Sequence, residues 1–239
     1  MTIALPEKKG TRMIAHRGIS GAAQENTLAA FRAAGERSYY GIETDLHMTK
    51  DGRFVTLHDD DLLRVAGSPL LARDSTLREL QAVHLFEKGT GTPSSALYVP
   101  SLEEYLAVCR EFDKVAVMEL KEELSPDSIE GLYRTVLSFA KTEEVIFLSS
   151  RAENLRLLRA LSPELRLQLI PTEAADWVIP FMLSHRIDLD IHHKALTREM
   201  VLLAHENGLS VNCFTVNTAE DAARVLAMGV DFITSDILE

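Results

Sequence analysis

Two carboxylates sit two positions apart in Gly41-Ile42-Glu43-Thr44-Asp45, and the apolar run Phe54-Val55-Thr56-Leu57 ends soon afterwards on His58-Asp59. If the first piece is a β-strand, Glu43 and Asp45 point to one face, ~7 Å apart at the backbone. Ionised carboxylates that close repel each other unless a cation lies between them. A hard divalent ion taking oxygen ligands answers that need. His58 adds the side chain that titrates nearest to neutral pH. Two further apolar runs end on charged groups: Met13-Ile14-Ala15 on His16-Arg17-Gly18, and Val115-Ala116-Val117-Met118 on Glu119-Leu120-Lys121.

Strands and helices must position these groups. Asn26 and Thr27 offer N-cap chemistry for a helix over Leu28–Arg37, with Leu28, Phe31 and Ala34 on one side. Lys50-Asp51-Gly52 reads as a tight hairpin turn between the Glu43/Asp45 strand and the strand ending at His58. From Asp60 to about Val99 the pattern weakens around Gly67-Ser68-Pro69 and Gly89–Ser95, with one helix over Leu77–Leu85. It reads as an excursion from the main fold. Ser101 with Glu104 then forms a capping box for a helix running to Phe112.

Beyond it, strands over 115–121, 145–148, 165–169, 187–191, 209–216 and 230–234 alternate with helices over 127–141, 153–161, 174–183, 198–207 and 219–228. Gly208 and Gly229 close the last two helices. About eight parallel-type strands, most followed by a helix, favour an α/β TIM (β/α)₈ barrel over an open doubly wound sheet. No G-x-G-x-x-G or P-loop sequence is present. The expectation is one domain over residues 1–239 with an insertion at about 60–99.

Composition narrows the function classes. Hydrophobic residues make up 46% of the 239 positions, enough for a substantial core, which excludes a disordered chain. The formal net charge of −11 argues against non-specific nucleic-acid binding and against stable association with an anionic membrane. A small phosphorylated substrate stays compatible, because a local cationic pocket can overrule the global sign. Cys109 and Cys213 lie in apolar patterns without zinc spacing and read as core residues. No signal peptide and no run of ~20 apolar residues is evident, so a soluble, cytoplasmic protein is expected.

In TIM barrels chemistry lives where the strands end at the C-terminal face. The strand ends here carry His16-Arg17, then Glu43 with Asp45, then His58, then Glu119 with Lys121. The two-apart spacing turns Glu119 and Lys121 inward together with Val117. Each fragment alone has an ordinary explanation: a strand-to-loop junction, a solvated rim, a hydrogen bond at a hairpin end, a salt bridge. Buried charge without partners is costly, and the fragments together favour a site.

The pattern A-H-R-G, E-N-T, E-x-D, K-D-G and H-D is carried by Ala15–Gly18, Glu25–Thr27, Glu43–Asp45, Lys50–Gly52 and His58-Asp59. Pro100–Glu104, Glu119-x-Lys121, Thr215-Val216-Asn217 and Gly229-Val230-Asp231 continue it. In this order the set resembles the glycerophosphodiester phosphodiesterases, bacterial and cytoplasmic in type, over nearly the whole chain. The resemblance implies a TIM barrel with a small insertion after the second strand. It implies hydrolysis of a small glycerophosphodiester to an alcohol and glycerol 3-phosphate with Ca²⁺ or Mg²⁺. By position, Glu43, Asp45 and Glu119 would be metal ligands and His16 and His58 the acid/base pair. Arg17 and Lys121 would contact phosphate, and Glu25 would be a supporting carboxylate. Gln24 stands for a usual Pro, His47 for a usual Gln, Phe214 for a frequent Trp and Phe232 for a common Gly. Phe214 keeps an apolar wall against the substrate but changes its shape; His47 is expected in a structural hydrogen bond.

The chemistry fits these types. Three carboxylates would repel a phosphodiester anion without a metal to reverse the local field. Arg17 can grip two oxygens in a planar fork, and Lys121 supplies a point charge. One imidazole would take the proton of the glycerol 2-hydroxyl, which attacks phosphorus to give a cyclic phosphate. The other would protonate the leaving alcohol. Two alternatives stand beside this reading: a lipid-directed phosphodiesterase of the same fold, and a non-catalytic barrel binding a phosphorylated ligand. The first would want an apolar patch or basic rim at the mouth. His192-His193, just past a strand end, reads as a solvated loop, and the oligomeric state is open.

Overall fold

The computed structural model describes residues 2–5, 7–8, 10–172 and 177–239. In chain order the elements are β1 (Arg12–Ala15), α1 (Leu28–Gly35), β2 (Gly41–Met48), β3 (Phe54–Thr56), β4 (Asp61–Leu62), α2 (Leu63–Ala66) and β5 (Ser68–Leu71). α3 (Leu77–Gln81), α4 (Leu102–Glu111), β6 (Val115–Leu120), α5 (Pro126–Leu137), β7 (Val145–Ser149), α6 (Ala152–Leu161) and β8 (Arg166–Leu169) follow. The chain ends through α7 (Val178–His185), β9 (Asp188–His192), α8 (Arg198–Glu206), β10 (Val211–Phe214), α9 (Ala219–Met228) and β11 (Phe232–Ser235).

Eight of these strands form a parallel barrel in the order β1-β11-β10-β9-β8-β7-β6-β2, and β1 pairs with β2 to close it. The TIM (β/α)₈ architecture expected from the alternation is therefore present. The strand ending before His58 is not one of the eight. β3 runs antiparallel to β2, with Leu46 opposite Thr56 and Met48 opposite Phe54, so a hairpin delivers His58.

Alternation along the strands divides two cores. Ile14, Val117, Ile146, Leu148 and Phe232 fill the lumen, while Ile42, Met118, Phe147 and Leu167 point outward into the layer packed by the helices. Glu43 pairs with Val117 and Asp45 with Glu119 in the β2–β6 register, which puts all four on the lumen side. Residues of the 60–99 excursion gather a separate cluster that includes Leu62, Val65, Leu80 and Leu85 with Val55 and Val99.

Several boundaries differ from the sequence expectations, among them the end of the 127–141 helix, which stops at Leu137. The Leu77–Leu85 helix stops at Gln81, because the Leu85 and Phe86 amides bond to Leu97 and Val65 carbonyls instead. The 209–216 strand contracts to Val211–Phe214. Of the helix expected over 174–183, residues 174–176 lie outside the described residues, and the helix observed runs from Val178 to His185. The capping box of Ser101 with Glu104 is present as expected. None of the described helices is long and apolar enough to cross a membrane.

Candidate active site

β1 ends at Ala15, and the chain turns at once. Arg17 and Gly18 take positive φ angles of 52° and 74°. A Cβ on Gly18 would lie 2.6 Å from the Ala30 carbonyl carbon, so only glycine lets this turn press against α1. The turn is tied to β2, where the Arg17 amide donates to Glu43 Oε2 at 2.8 Å.

On the lumen side Glu43, Asp45 and Glu119 each offer an oxygen, all within 4.8 Å of one another. Glu43 and Asp45 are 4% and 1% exposed, so water screens their repulsion little. Cations crowd the triangle. Lys121 Nζ lies 2.9 Å from Glu119 Oε1 and 3.2 Å from Asp45 Oδ1, and Arg17 Nε lies 3.2 Å from Asp45 Oδ2. That last contact is ionic; its angle does not make a hydrogen bond. Asn26 Nδ2 donates to Asp45 Oδ2 at 2.8 Å, and the Thr44 hydroxyl donates to Asn26 Oδ1 at 2.8 Å.

The charge is unevenly compensated. Burial opposes ionisation of Asp45, but Lys121 and Arg17 outweigh it and hold this carboxyl below its usual range. Burial and the neighbouring Asp45 push Glu43 up, and the same two causes raise Glu119 despite Lys121. Three carboxyls face two cations there, and the mismatch falls on Glu43 and Glu119.

Two imidazoles flank it, each held by its own carboxylate. His16 Nδ1 donates to Asp236 Oδ1 at 2.6 Å, and Ser20 and Asn217 donate to the same carboxylate. Burial would lower the His16 pKa, but the Asp236 hydrogen bond and Glu43 raise it. His58 Nδ1 donates to Asp59 Oδ1 at 2.7 Å. His47 Nε2 donates to the His58 carbonyl at 3.2 Å while its Nδ1 pairs with Glu122, the structural role expected for it.

An ion-pair chain joins these groups. Glu25 accepts Arg17 Nη1 at 2.9 Å and both Nη atoms of Arg64 at 2.7 and 2.8 Å. Arg64, carried by α2, also reaches Asp59 Oδ2 at 2.7 Å. Glu25 stays below its usual pKa: burial opposes this, and the two arginines prevail.

His16, Arg17, Glu25, Glu43, Asp45, His58, Glu119 and Lys121 thus converge on one end of the barrel. Phe214 stands at the end of β10, edge-on to His192 with ring centres 6.0 Å apart. His193 corrects its reading as a solvated residue: it is buried, 3.4 Å from Asp221, with Arg224 donating to its carbonyl.

Arg64, Asp236 and Asp190 carry no sequence signal of their own, and the signal at Asn26 points to a cap rather than to Asp45. Asn26 reads as a capping residue, yet Thr27 is the one that caps α1. Asp190 is buried in the lumen beneath Glu43 and Glu119 with one carboxyl oxygen unpartnered. Burial first, then those two glutamates, push its pKa well up.

The chain is a closed parallel α/β barrel whose C-terminal mouth gathers carboxylates, two cations and two carboxylate-locked imidazoles. The chain belongs to the glycerophosphoryl diester phosphodiesterase family, whose model matches residues 16–239. A glycerophosphodiester phosphodiesterase of Bacillus altitudinis is 30% identical over 235 residues, covering 95% of this chain and 94% of that one. One from Caldanaerobacter subterraneus subsp. tengcongensis is 30% identical over 231 residues, with 95% and 94% covered. Among solved structures, an Oleispira antarctica phosphodiesterase in complex with its product sn-glycerol-3-phosphate superposes with a TM-score of 0.87 at 26% identity, covering 98% of this chain and 94% of that one.

Proposed function

We propose that this chain hydrolyses small glycerophosphodiesters to an alcohol and glycerol 3-phosphate. In this reading it works as one domain over residues 1–239, with the excursion at about 60–99 serving the same site. One observation carries the reading: three carboxylate oxygens within 4.8 Å of one another, placed between two imidazoles that are each locked by an aspartate.

Glu43, Asp45 and Glu119 would hold a divalent cation, Ca²⁺ or Mg²⁺. The donor set suits one, since all three are hard oxygen ligands. The upward pressure on Glu43 and Glu119 marks a place short of positive charge. When bound, such an ion neutralises charge on the phosphoryl oxygens.

Arg17 and Lys121 bind the phosphate oxygens, and they reach it by loosening their grip on Asp45. Glu25 keeps the Arg17 fork aimed. His16 and His58 move protons through Nε2, because Asp236 and Asp59 occupy their Nδ1 atoms. One imidazole removes the proton of the glycerol 2-hydroxyl as that oxygen attacks phosphorus. The other delivers a proton to the departing alcohol, leaving a cyclic phosphate. Water then opens the ring with the two roles exchanged, giving glycerol 3-phosphate. Phe214 lines the side of the mouth opposite these steps. We place the work in the cytoplasm, where the buried free thiols of Cys109 and Cys213 stay reduced.

The test is release of glycerol 3-phosphate from glycerophosphocholine, glycerophosphoethanolamine and glycerophosphoglycerol. It is run before and after chelation, with Ca²⁺ and Mg²⁺ restored separately. Release that chelation leaves untouched removes the metal from the reading, and no release from any diester removes the activity.

A further inference from the structure

Beside the mouth lies a second concavity, of about 790 Å³, between α7, α8 and the outer face of β9. Its walls include Met182, Leu183, Ile191, Met200 and Leu203, and His192 is the one ionisable side chain among the described residues that line it. Clefts of this size and character suit an apolar ligand. Packed α/β barrels fill the space between helix and strand with side chains; among the described residues the filling here is incomplete. Ile179, Leu183 and Leu203 are 42%, 39% and 37% exposed, so the cleft opens to solvent along its outer edge.

The cleft reaches the C-terminal rim of the barrel at two strand ends. His192 and Phe214 are register partners at the ends of β9 and β10, and both line the cleft. Two positions earlier on the same strands, Asp190 and Asn212 lie buried in the lumen, where Asn212 donates to Gln168. His192 and Phe214 share their parity and so stand at the rim, with the carboxylate triangle on one side and the cleft on the other.

We infer that this cleft takes a single linear hydrocarbon chain carried by the alcohol half of the diester, so that the substrate class extends to glycerophosphodiesters of long-chain alcohols. The inference rests on the phosphodiesterase reading and specifies its substrate. The chain belongs to the alcohol half because the Oleispira antarctica relative holds unsubstituted sn-glycerol-3-phosphate as product, which leaves the departing group to carry it. The net charge of −11 opposes docking on an anionic bilayer and favours a dispersed single-chain amphiphile. In the overall reaction water gives phosphorus the hydroxyl it keeps and gives the long-chain alkoxide its proton. The alcohol–phosphorus bond is the one lost.

A homologous series of glycerophosphoalkanols, from ethanol to dodecanol and below micelle-forming concentrations, tests this. kcat/KM should rise about two- to fourfold per methylene before levelling off. Leu183→Lys should lower the ratio of dodecyl to ethyl kcat/KM by at least about tenfold, since an ammonium would then sit in the chain's path. Leu203→Lys, also at the exposed edge, repeats the measurement on a different helix, and melting curves of both variants confirm that they fold. A flat series with every member cleaved overturns the inference and leaves the phosphodiesterase reading standing. So does a chain preference seen only when the chain is esterified to the glycerol. An unaltered ratio in both folded lysine variants also overturns it. If no member is cleaved at all, the underlying reading falls.

Discussion

The Nδ1 atom of His16 lies 2.6 Å from Oδ1 of Asp236, a residue 220 positions later in the chain. β1 and β11 are neighbours in the barrel, with Ala15 opposite Ser235, so the two ends of the chain meet to fix one imidazole. The bond sets the tautomer and leaves Nε2 as the ring nitrogen able to exchange a proton. Asp236→Asn removes the negative acceptor at nearly constant volume. It is expected to lower kcat by about 10²- to 10⁴-fold with a much smaller change in KM. His16→Ala should cost at least as much, and the double variant no more than the worse single one, because the pair acts as a unit. Steady-state kinetics on the four forms decide this.

Metal removal should silence the enzyme, and metal addition should stabilise it. An ion that binds only the folded chain adds about 2.7 kcal/mol at a hundredfold excess over its Kd. A melting scan with Ca²⁺ or Mg²⁺ is therefore expected to show a rise of several degrees over the chelated protein. Glu119→Gln should shrink that rise and abolish turnover together. A rise of full size in this variant would mean that the ion sits elsewhere.

Asn26 deserves a test separate from the acids, since it touches one of them. It donates to Asp45, accepts from Thr44, and its own carbonyl accepts from Thr56 at 3.0 Å. It also holds a positive φ of 52°, which asparagine tolerates better than alanine. Asn26→Ala should cost about 2–3 kcal/mol in denaturant unfolding. It should also weaken divalent-ion affinity about 10- to 100-fold through the unsupported Asp45 carboxylate.

The contrast between Glu43 and Asn26 shows what a sequence discloses. The two-residue period of a strand is local, so placing Glu43, Asp45, Glu119 and Lys121 on one side needed only the apolar frame around them. The β2–β6 register then fell as that frame required. Asn26 and Asp236 act across 19 and 220 positions, and no local period encodes such a pairing. Asn26 followed by Thr27 gave an honest capping signal, but the cap went to the threonine. Arg64 sits in the stretch of weakest pattern, on a helix of four residues, and meets Glu25 across 39 positions, beyond the reach of any local period. The cleft beside α7 was hidden for another reason. A helix rich in apolar residues reads the same whether its neighbours fill the space beneath it or leave it open.

At the opposite end of the barrel Asp188 gives a stability prediction free of the chemistry. Burial, with Asp231 adding to it, raises its pKa to about 6 from the ordinary 3.8, although the Ser210 amide donates to it. Because the folded-state value lies above the unfolded one, the acid favours the folded chain fully below about pH 4. That advantage is lost as pH rises through 6. Asp188→Asn keeps the acceptor for Ser210 without the charge. It should leave stability unchanged near pH 4 and raise it by at most about 3 kcal/mol at pH 8. Melting temperatures of both proteins at the two pH values measure the difference.

The Arg64 guanidinium gives the excursion a stake in the catalytic geometry. It holds Glu25, which grips Arg17, and Asp59, which grips His58, so one side chain outside the eight-stranded wall ties the proposed anion-binding fork to the proposed proton carrier. A barrel pared of residues 60–99 would keep its acids and lose the tie between Glu25 and Asp59. Under the proposed mechanism, sequence drift in that outlying stretch retunes turnover without altering any group that meets the substrate.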